Sequence, residues 1–212
     1  MSSGEQIGLI RERMSGRSFL KKIAVGCAIL VVSAAVSAGP LEDGQAAYLR
    51  GDYSAAFRYW RVGADQGSSD AQTLLGTLYD HGKGTPINHV EAAKWFRKAA
   101  QQGNARAQYY LAASYAAGNG VPKDFAAAAS WARKSADQGN PKAQFSLGLL
   151  YSNGLGVPLD NVKAHMWFSL AAAVGEKDAE EKRREVSAKM SSEQMAKARK
   201  LAREWLQRHP RN

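Results

Sequence analysis

Few side chains in this sequence have the types and spacing that catalysis or metal binding would need. A helix that binds a metal often presents two histidines four residues apart on one face. The four histidines are His81, His89, His165 and His209, and no two of them are related in that way. A nucleophile elbow, a phosphate-binding loop and a paired-carboxylate motif are also missing from the sequence. The sequence therefore predicts no catalytic residue, no metal site and no cofactor, and it favours a protein that is not an enzyme.

The five tryptophans offer a different chemistry, because an exposed indole can clamp a sugar ring or a quaternary ammonium group. Trp95, Trp131 and Trp167 follow one another at intervals of 36 residues. A side chain that recurs at a fixed interval is expected to pack between repeated units. We therefore expect these tryptophans in the core, whereas a glycan-binding protein would expose them on one face.

A unit of 36 residues positions these side chains and recurs without an insertion. Three segments align in register. They are S-S-D-A-Q-T-L-L-G-T-L-Y from Ser68, N-A-R-A-Q-Y-Y-L-A-A-S-Y from Asn104 and N-P-K-A-Q-F-S-L-G-L-L-Y from Asn140. Periods of this length are typical of stacked helix pairs. The sequence predicts an all-α fold, a solenoid of antiparallel helix pairs that offers an extended surface rather than a pocket.

The residues that begin and end helices also repeat. Glycines suited to a left-handed conformation stand at Gly67, Gly103, Gly139 and Gly175. N-cap residues are predicted at Ser68, Asn104 and Asn140 for the first helices, and at Asp52, Asn88, Asp124 and Asp160 for the second. A G-x-G-x-P turn joins the two helices of each unit. Asp52 predicts a half-repeat before the three full ones. The glycines at Gly76 and Gly148 predict close helix contact, since glycine within a helix costs about 1 kcal/mol relative to alanine.

Residues 1–38 have the features of a cleaved export signal. Lys21 and Lys22 precede an apolar run, and Val36 and Ala38 suit signal peptidase. The run to Ala38 has about 16 residues, fewer than the roughly 20 that span a bilayer. We expect a periplasmic or secreted protein without cysteine, because Cys27 lies in the leader. The alternative is an uncleaved leader that anchors the protein in the inner membrane.

The positive charge of the chain is concentrated near its C-terminus. The net charge is +10, and residues 179–212 carry +5 of the +7 that remain after removal of the leader. Because the positive and negative charges of the repeats are nearly equal in number, a nucleic-acid partner is not expected. Ser191 and Gln194 predict a capping box ahead of an apolar stripe with Leu201 and Trp205, typical of a helix that caps a solenoid. The alternative role for its basic residues is docking on anionic lipid or an acidic partner. Such docking, or an uncleaved leader, would be the only membrane contact.

Two long motifs recur with the period, A-Q-x-x-L-G-x-L-Y-x-x-G-x-G-x-P and W-F-R-K-A-A-x-x-G. With them the chain resembles the Sel-one-like repeat (SLR) family, relatives of the tetratricopeptide repeats, over about residues 51–178. The resemblance implies a right-handed α-solenoid that assembles other proteins on its concave face, is often exported in bacteria, and has no shared catalytic residues. We divide the chain into a leader (1–38), N-terminal helices with a half-repeat (39–67), three repeats (68–103, 104–139 and 140–175) and capping helices (176–212).

First helices line the concave side in this family, and we expect exposed positions that vary between repeats to be free to recognise a partner. The variable helix positions are Thr73, Thr77 and Asp80 in the first repeat and their counterparts in the next two. We predict a partner-binding groove made of Tyr109, Ala113, Phe145 and Leu149, flanked by Arg106 and Lys142. The alternative is that Tyr109 and Phe145 only pack against an adjacent helix.

We expect a monomeric adaptor in the bacterial envelope that binds a protein or peptide. A glycan-binding or peptidoglycan-binding protein and an envelope hydrolase are the alternative functions.

Overall fold

The computed structural model describes residues 39–210, and this part of the chain folds into ten α-helices with no β-strand. The helices are α1 Pro40–Leu49, α2 Tyr53–Asp65, α3 Ser69–His81, α4 His89–Gln101, α5 Ala105–Ala117, α6 Phe125–Asp137, α7 Pro141–Asn153, α8 Asn161–Ala172, α9 Ala179–Ser187 and α10 Ser192–Arg208. The expected export signal, residues 1–38, lies outside the described residues.

The helices pack in consecutive pairs. α1 packs on α2, α3 on α4, α5 on α6 and α7 on α8, and the second helix of each of the first three pairs also packs on the first helix of the next. The buried side chains form three successive clusters along the stack instead of one central core. This arrangement confirms the predicted all-α solenoid, in which each unit is stabilised mainly by its neighbours.

Every predicted N-cap is confirmed. The side chains of Ser68, Asn104 and Asn140 accept hydrogen bonds from the backbone N–H three residues later, and so do those of Asp52, Asn88, Asp124 and Asp160. Each such bond satisfies one N–H that the helix itself leaves unpaired, and it stabilises the helix by about 1 kcal/mol. The first and second helices therefore begin at residues fixed by the sequence.

The structure adds α1, which the repeat pattern did not locate. A short Arg50-Gly51-Asp52 connection joins α1 to α2 in place of the G-x-G-x-P turn, so the motif is absent there. A Cβ atom built on Gly44 would lie 2.3 Å from the indole of Trp60, and the Trp60 Nε1 donates a hydrogen bond of 3.1 Å to the carbonyl of Leu41. α1 and α2 are thus a close-packed pair like those that follow.

The second glycine of each G-x-G-x-P turn contacts the preceding helix pair. Gly84, Gly120 and Gly156 have φ values of 71°, 71° and 67°. A Cβ on Gly120 would lie 1.9 Å from the carbonyl oxygen of His89, and Cβ atoms on the other two would lie 2.3 and 2.1 Å from backbone atoms of Tyr53 and Phe125. Each turn therefore lies directly against the start of the preceding second helix, at a distance that only glycine allows.

A buried glutamine in each repeat explains the A-Q motif. The side-chain amides of Gln72, Gln108 and Gln144 donate hydrogen bonds of 3.1, 3.2 and 3.3 Å to the carbonyls of Ala64, Ala100 and Ala136. Those carbonyls lie at the end of the preceding second helix, beyond its regular hydrogen bonds, and each also accepts from the backbone N–H of the glycine three residues later. Gln102 and Gln138 donate in turn to the first two of these glutamines, each over 2.8 Å. The amides thus link successive pairs through buried polar groups.

The C-terminal helices close the last repeat, as predicted. The capping box of Ser191 and Gln194 is present, and both α9 and α10 pack on α8. The Trp205 ring contacts Trp167 edge to face with centroids 6.2 Å apart, and Ala198 is fully buried. The basic residues of α10 are exposed, namely Lys197, Arg199, Lys200, Arg203 and Arg208.

Within residues 39–210, none of the helices combines the length and the apolar character that crossing a membrane would require.

Replacing Gly120 by alanine tests the contact between the turn and the preceding pair. Gly103 provides a matched control, because its φ is also left-handed, at 92°, but a Cβ there would meet nothing within 4 Å. We expect Gly103→Ala to lower the free energy of unfolding by about 1–2 kcal/mol through backbone strain alone. Gly120→Ala should cost about 1–3 kcal/mol more, because its Cβ overlaps backbone atoms. Urea unfolding followed by circular dichroism measures both, and equal losses would contradict the proposed contact.

Candidate partner-binding groove

Burial of the tryptophans confirms that most of them belong to the core. Trp60, Trp95, Trp167 and Trp205 are between 1% and 5% exposed. Trp131 is half-buried, packs against two of the core clusters, and has the Lys134 ammonium 4.3 Å from its ring centroid. The tryptophans therefore do not form an exposed aromatic face of the kind that a glycan-binding protein would need.

The predicted groove residues occupy the first helices of the second and third repeats. Ala113, Arg106 and Lys142 are exposed, whereas Tyr109, Phe145 and Leu149 are half-buried. The latter three pack against the largest core cluster, which extends from the second repeat to the C-terminal helices. The four apolar residues thus lie along neighbouring helices, α5 and α7, at the border between core and solvent.

Tyr109 and Phe145 also take part in packing. The Phe145 ring lies 5.6 Å from the Phe168 ring, and the Tyr109 ring lies 5.4 Å from the Tyr110 ring. Burial raises the pKa of the Tyr109 hydroxyl, and Tyr110 and Glu176 raise it further. Packing against neighbouring side chains, the alternative role, therefore covers much of the surface of both rings. Only part of each ring is available to a partner.

The groove does not continue into the first repeat. Thr73, which aligns with Tyr109, is 1% exposed and its hydroxyl donates to the Ser69 carbonyl over 2.7 Å. The expectation of an exposed position was wrong there because α1 contacts α3 and covers it. Leu41 and Gln45 of α1 and Thr73 line one cavity, with a volume of about 340 Å³. The apolar surface of the predicted groove is therefore confined to α5 and α7.

An apolar hollow lies between α5, α6 and α7 and has a volume of about 370 Å³. Six alanines line it, at 112, 113, 116, 117, 128 and 132, together with Ser146, Leu149 and Leu150. Ala112, Ala128 and Ala132 are at most 4% exposed and form its floor, whereas Ala113 and Ala117 are exposed at its rim. Two predicted groove residues, Ala113 and Leu149, thus share one concave surface. The alanine floor was not predicted from the sequence.

Comparison of the repeats explains the hollow. In the first repeat the Phe96 ring packs on Gly76, where a Cβ would lie 2.6 Å from the ring, and stacks on Tyr110 with centroids 4.9 Å apart. The residues that align with these three in the next repeat are Ala112, Ala132 and Ser146, one on each of the three helices that line the hollow. Two aromatic rings are therefore missing from this junction, and alanine methyl groups replace them.

The two cations predicted to flank the groove have different surroundings. Arg106 lies by two shallow cavities toward the first repeat, and its guanidinium donates a hydrogen bond of 3.4 Å to the Tyr110 hydroxyl. Lys142 lies one turn before Ser146 on α7, and the Ser146 hydroxyl donates to the Lys142 carbonyl over 2.8 Å. Lys142 is thus the nearer of the two to the hollow along the chain.

The histidines are dispersed through residues 39–210, and this part of the chain has no group of three or more His, Cys, Asp or Glu side chains arranged to hold a metal ion. His89 pairs with Asp80 over 2.8 Å at a partly exposed position. His165 is buried in α8, where its Nδ1 lies 3.3 Å from the Ser169 hydroxyl. Both contacts join neighbouring parts of the scaffold.

Comparison with protein families identifies the repeat. The family model described as "Sel1 repeat" matches residues 33–68, 69–104, 105–140 and 141–176. Its first match begins before the described residues and includes the pair α1 and α2. The comparison with curated proteins gives no match.

Two solved structures show the same architecture. One is a Sel1 repeat protein from Oxalobacter formigenes, with 35% identity, a TM-score of 0.64, and coverage of 67% of this chain and 57% of that chain. The other is a protective antigen of uropathogenic Escherichia coli strains that displays an SLR fold, with 32% identity, a TM-score of 0.56, and coverage of 72% and 41%. This chain thus spans about half the length of the two structures.

His165 should make stability depend on pH. Burial lowers the pKa of its imidazole, the charges of Arg183 and Arg199 lower it further, and Glu180 opposes them. The unfolded imidazole has a pKa of about 6.5, so below that pH the unfolded state binds more protons than the folded state. The contribution of His165 is complete above this pH and is lost as the pH falls toward the lowered pKa, by at most about 1.4 kcal/mol per pH unit. Urea unfolding from pH 5 to 8 measures this slope, and its persistence in His165→Gln would contradict the assignment.

Proposed function

Because the chain belongs to the Sel1 repeat family, we propose that it is an adaptor that binds a segment of another protein along α5 and α7. Sel1 repeat proteins are generally non-catalytic scaffolds for protein interactions. The observation that carries the proposal is the apolar border formed by Tyr109, Ala113, Phe145 and Leu149, which meets the incompletely filled hollow. An apolar anchor in such a groove is a common way to hold a peptide or a helix.

The charges around this border favour a segment that is not strongly basic. Arg106 and Lys142 are exposed at the N-terminal ends of α5 and α7, and neither forms an ion pair within residues 39–210. The two cations repel a basic partner and steer an acidic one, mainly by changing the association rate, and the negative charge of Glu176 near Tyr109 partly offsets them. The proposed partner is therefore a polypeptide with an apolar anchor and neutral or acidic neighbouring residues.

We place the adaptor in the periplasm or outside the cell. Support comes from residues 1–38, in which basic residues, an apolar run and small residues at Val36 and Ala38 follow in the order of an export signal. An uncleaved leader would instead anchor the protein in the inner membrane. Either location presents the repeats to other proteins of the envelope.

A photo-reactive amino acid at Ala113 tests the groove in the cells that produce the protein. Ala113 is exposed and lies on the proposed contact surface, so we expect one discrete crosslinked protein. The control carries the same residue at Ser130, which is exposed on the second helix of the pair, α6. It should not give that product. Equal crosslinking from both positions, or from neither, would contradict the groove.

Binding measurements on the crosslinked partner complete the test. Ala113→Glu places an unpaired charge in the apolar contact and should raise Kd by about tenfold or more, equivalent to about 1.4 kcal/mol. Ser130→Glu adds the same charge outside the groove and should leave Kd within about twofold. Isothermal titration calorimetry measures Kd, and circular dichroism verifies that both variants remain folded. An unchanged Kd for Ala113→Glu would show that the partner binds elsewhere.

Processing of the leader gives a separate prediction. We expect the protein recovered from the periplasm or the medium to begin at Gly39, because Ala38 occupies the position next to the cleaved bond. Ala38→Arg should block cleavage and leave a longer, membrane-associated product. N-terminal sequencing of the fractionated protein measures both results, and a chain that retains residues 1–38 in the unmodified protein would establish the anchored form.

A further inference from the structure

The hollow between α5, α6 and α7 matches a place that aromatic rings fill elsewhere in the same molecule. Trp60, Phe96 and Phe168 occupy the position of Ala132 in the other helix pairs, and each is at most 1% exposed. Each also lies against a glycine on the first helix of its own pair, where a Cβ would come within 2.6 Å of the ring. In the other three helix pairs, a glycine on the first helix therefore makes room for an aromatic ring from the second helix.

The second repeat lacks the ring and also the residue that would stack on it. Ala132 replaces the aromatic residue, and Ser146 replaces Tyr110, whose ring stacks on Phe96 at an interplanar angle of 17°. Ala112 replaces the glycine, and its single methyl group does not fill the space of a ring. The remaining volume, about 370 Å³, is within the range of about 300–1,000 Å³ found for sites that bind small molecules.

The geometry points to this hollow as a subsite for one aromatic side chain of the bound polypeptide. The inference rests on the proposed adaptor function and specifies what anchors the partner. Eight of the nine lining residues present only apolar side chains, and Ser146 is the exception. An aromatic ring buries much apolar surface while it immobilises few rotatable bonds, which makes it the strongest anchor for such a site.

The open side of the hollow supports a polypeptide as the source of the ring. Ala113, Ala116 and Ala117 form its edge on α5, and their short side chains let another backbone approach closely. Lys142 is exposed one turn before Ser146 and carries a charge that an acidic residue beside the anchor would complement. The floor residues Ala112 and Ala132 lie below this edge, so the ring enters from the groove side.

The alanine methyl groups provide a direct readout. The full chain, labelled with carbon-13 in its alanine methyl groups, is titrated with N-acetyl-phenylalaninamide, N-acetyl-leucinamide and N-acetyl-alaninamide. We expect the phenylalanine probe to shift the resonances of Ala112, Ala116 and Ala132 saturably and upfield, because the ring lies over them. The other two probes should produce smaller shifts or none. Equal saturable shifts with the leucine probe would overturn the preference for a ring, and no saturable shift with any probe would overturn the subsite.

A filled variant identifies the place of binding. Ala112→Gly combined with Ala132→Phe recreates the pair that Gly76 and Phe96 form in the first repeat. The matched control is Ala112→Gly alone, which leaves the hollow open. Both are first verified as folded by circular dichroism. We expect the double variant to lose the shift of Ala116 and the control to keep it. A shift that survives in the folded double variant would overturn the assignment.

The remaining outcomes separate this inference from the adaptor function. If a second copy of the chain fills the hollow, the same methyl resonances change on dilution without a probe, and the assignment to a partner is overturned. The Kd for the partner protein identified by crosslinking at Ala113 should be about tenfold higher for the double variant. An unchanged Kd would reject the aromatic subsite but not the groove. Absence of any crosslinked product from Ala113 in the chain without other substitutions would reject the groove itself.

Discussion

Contact between a turn glycine and the backbone of the preceding helix pair determines how the units stack. A Cβ on Gly84, Gly120 or Gly156 would lie 1.9 to 2.3 Å from backbone atoms at the start of the preceding second helix. Since the turn meets the same point in every unit, the number of residues between these contacts has to remain constant. This explains why the repeats contain no insertion, and why many other contacts between units recur at the same interval.

Polar side chains use this constant register. Gln72, Gln108 and Gln144 donate to carbonyls at the ends of the preceding second helices, in addition to the backbone N–H groups that these carbonyls accept. The guanidinium groups of Arg97 and Arg133 donate to the hydroxyls of Tyr115 and Tyr151, each on the first helix of the next pair. A shift of one residue would break these bonds together. The solenoid is therefore specified by bonds between neighbours as well as by apolar packing.

Local features of the fold could be predicted from the sequence, but features that need two distant helices could not. The caps depend on one side chain and a nearby N–H, so Asp52 and Asn104 were identified correctly. The bounds of α1 could not be predicted within the N-terminal helices because its connection lacks the turn motif, and the exposure of Thr73 was misjudged because α1 covers it. The hollow depends on the simultaneous loss of contacts on three helices. The departures at Ala112 and Ala132 were visible in the sequence, but their proximity to Ser146 was not.

The hollow also affects the mechanics of the solenoid. The stacked rings of Phe96 and Tyr110 fill the junction between the first and second repeats. A closely packed junction of this kind resists compression. At the next junction, alanine methyl groups replace the rings and line about 370 Å³ of open space. Because two stacked rings are absent from this junction, we expect it to resist bending less than the junction before it. A ring bound in the hollow would restore the missing aromatic contact, so occupancy would make this junction more rigid.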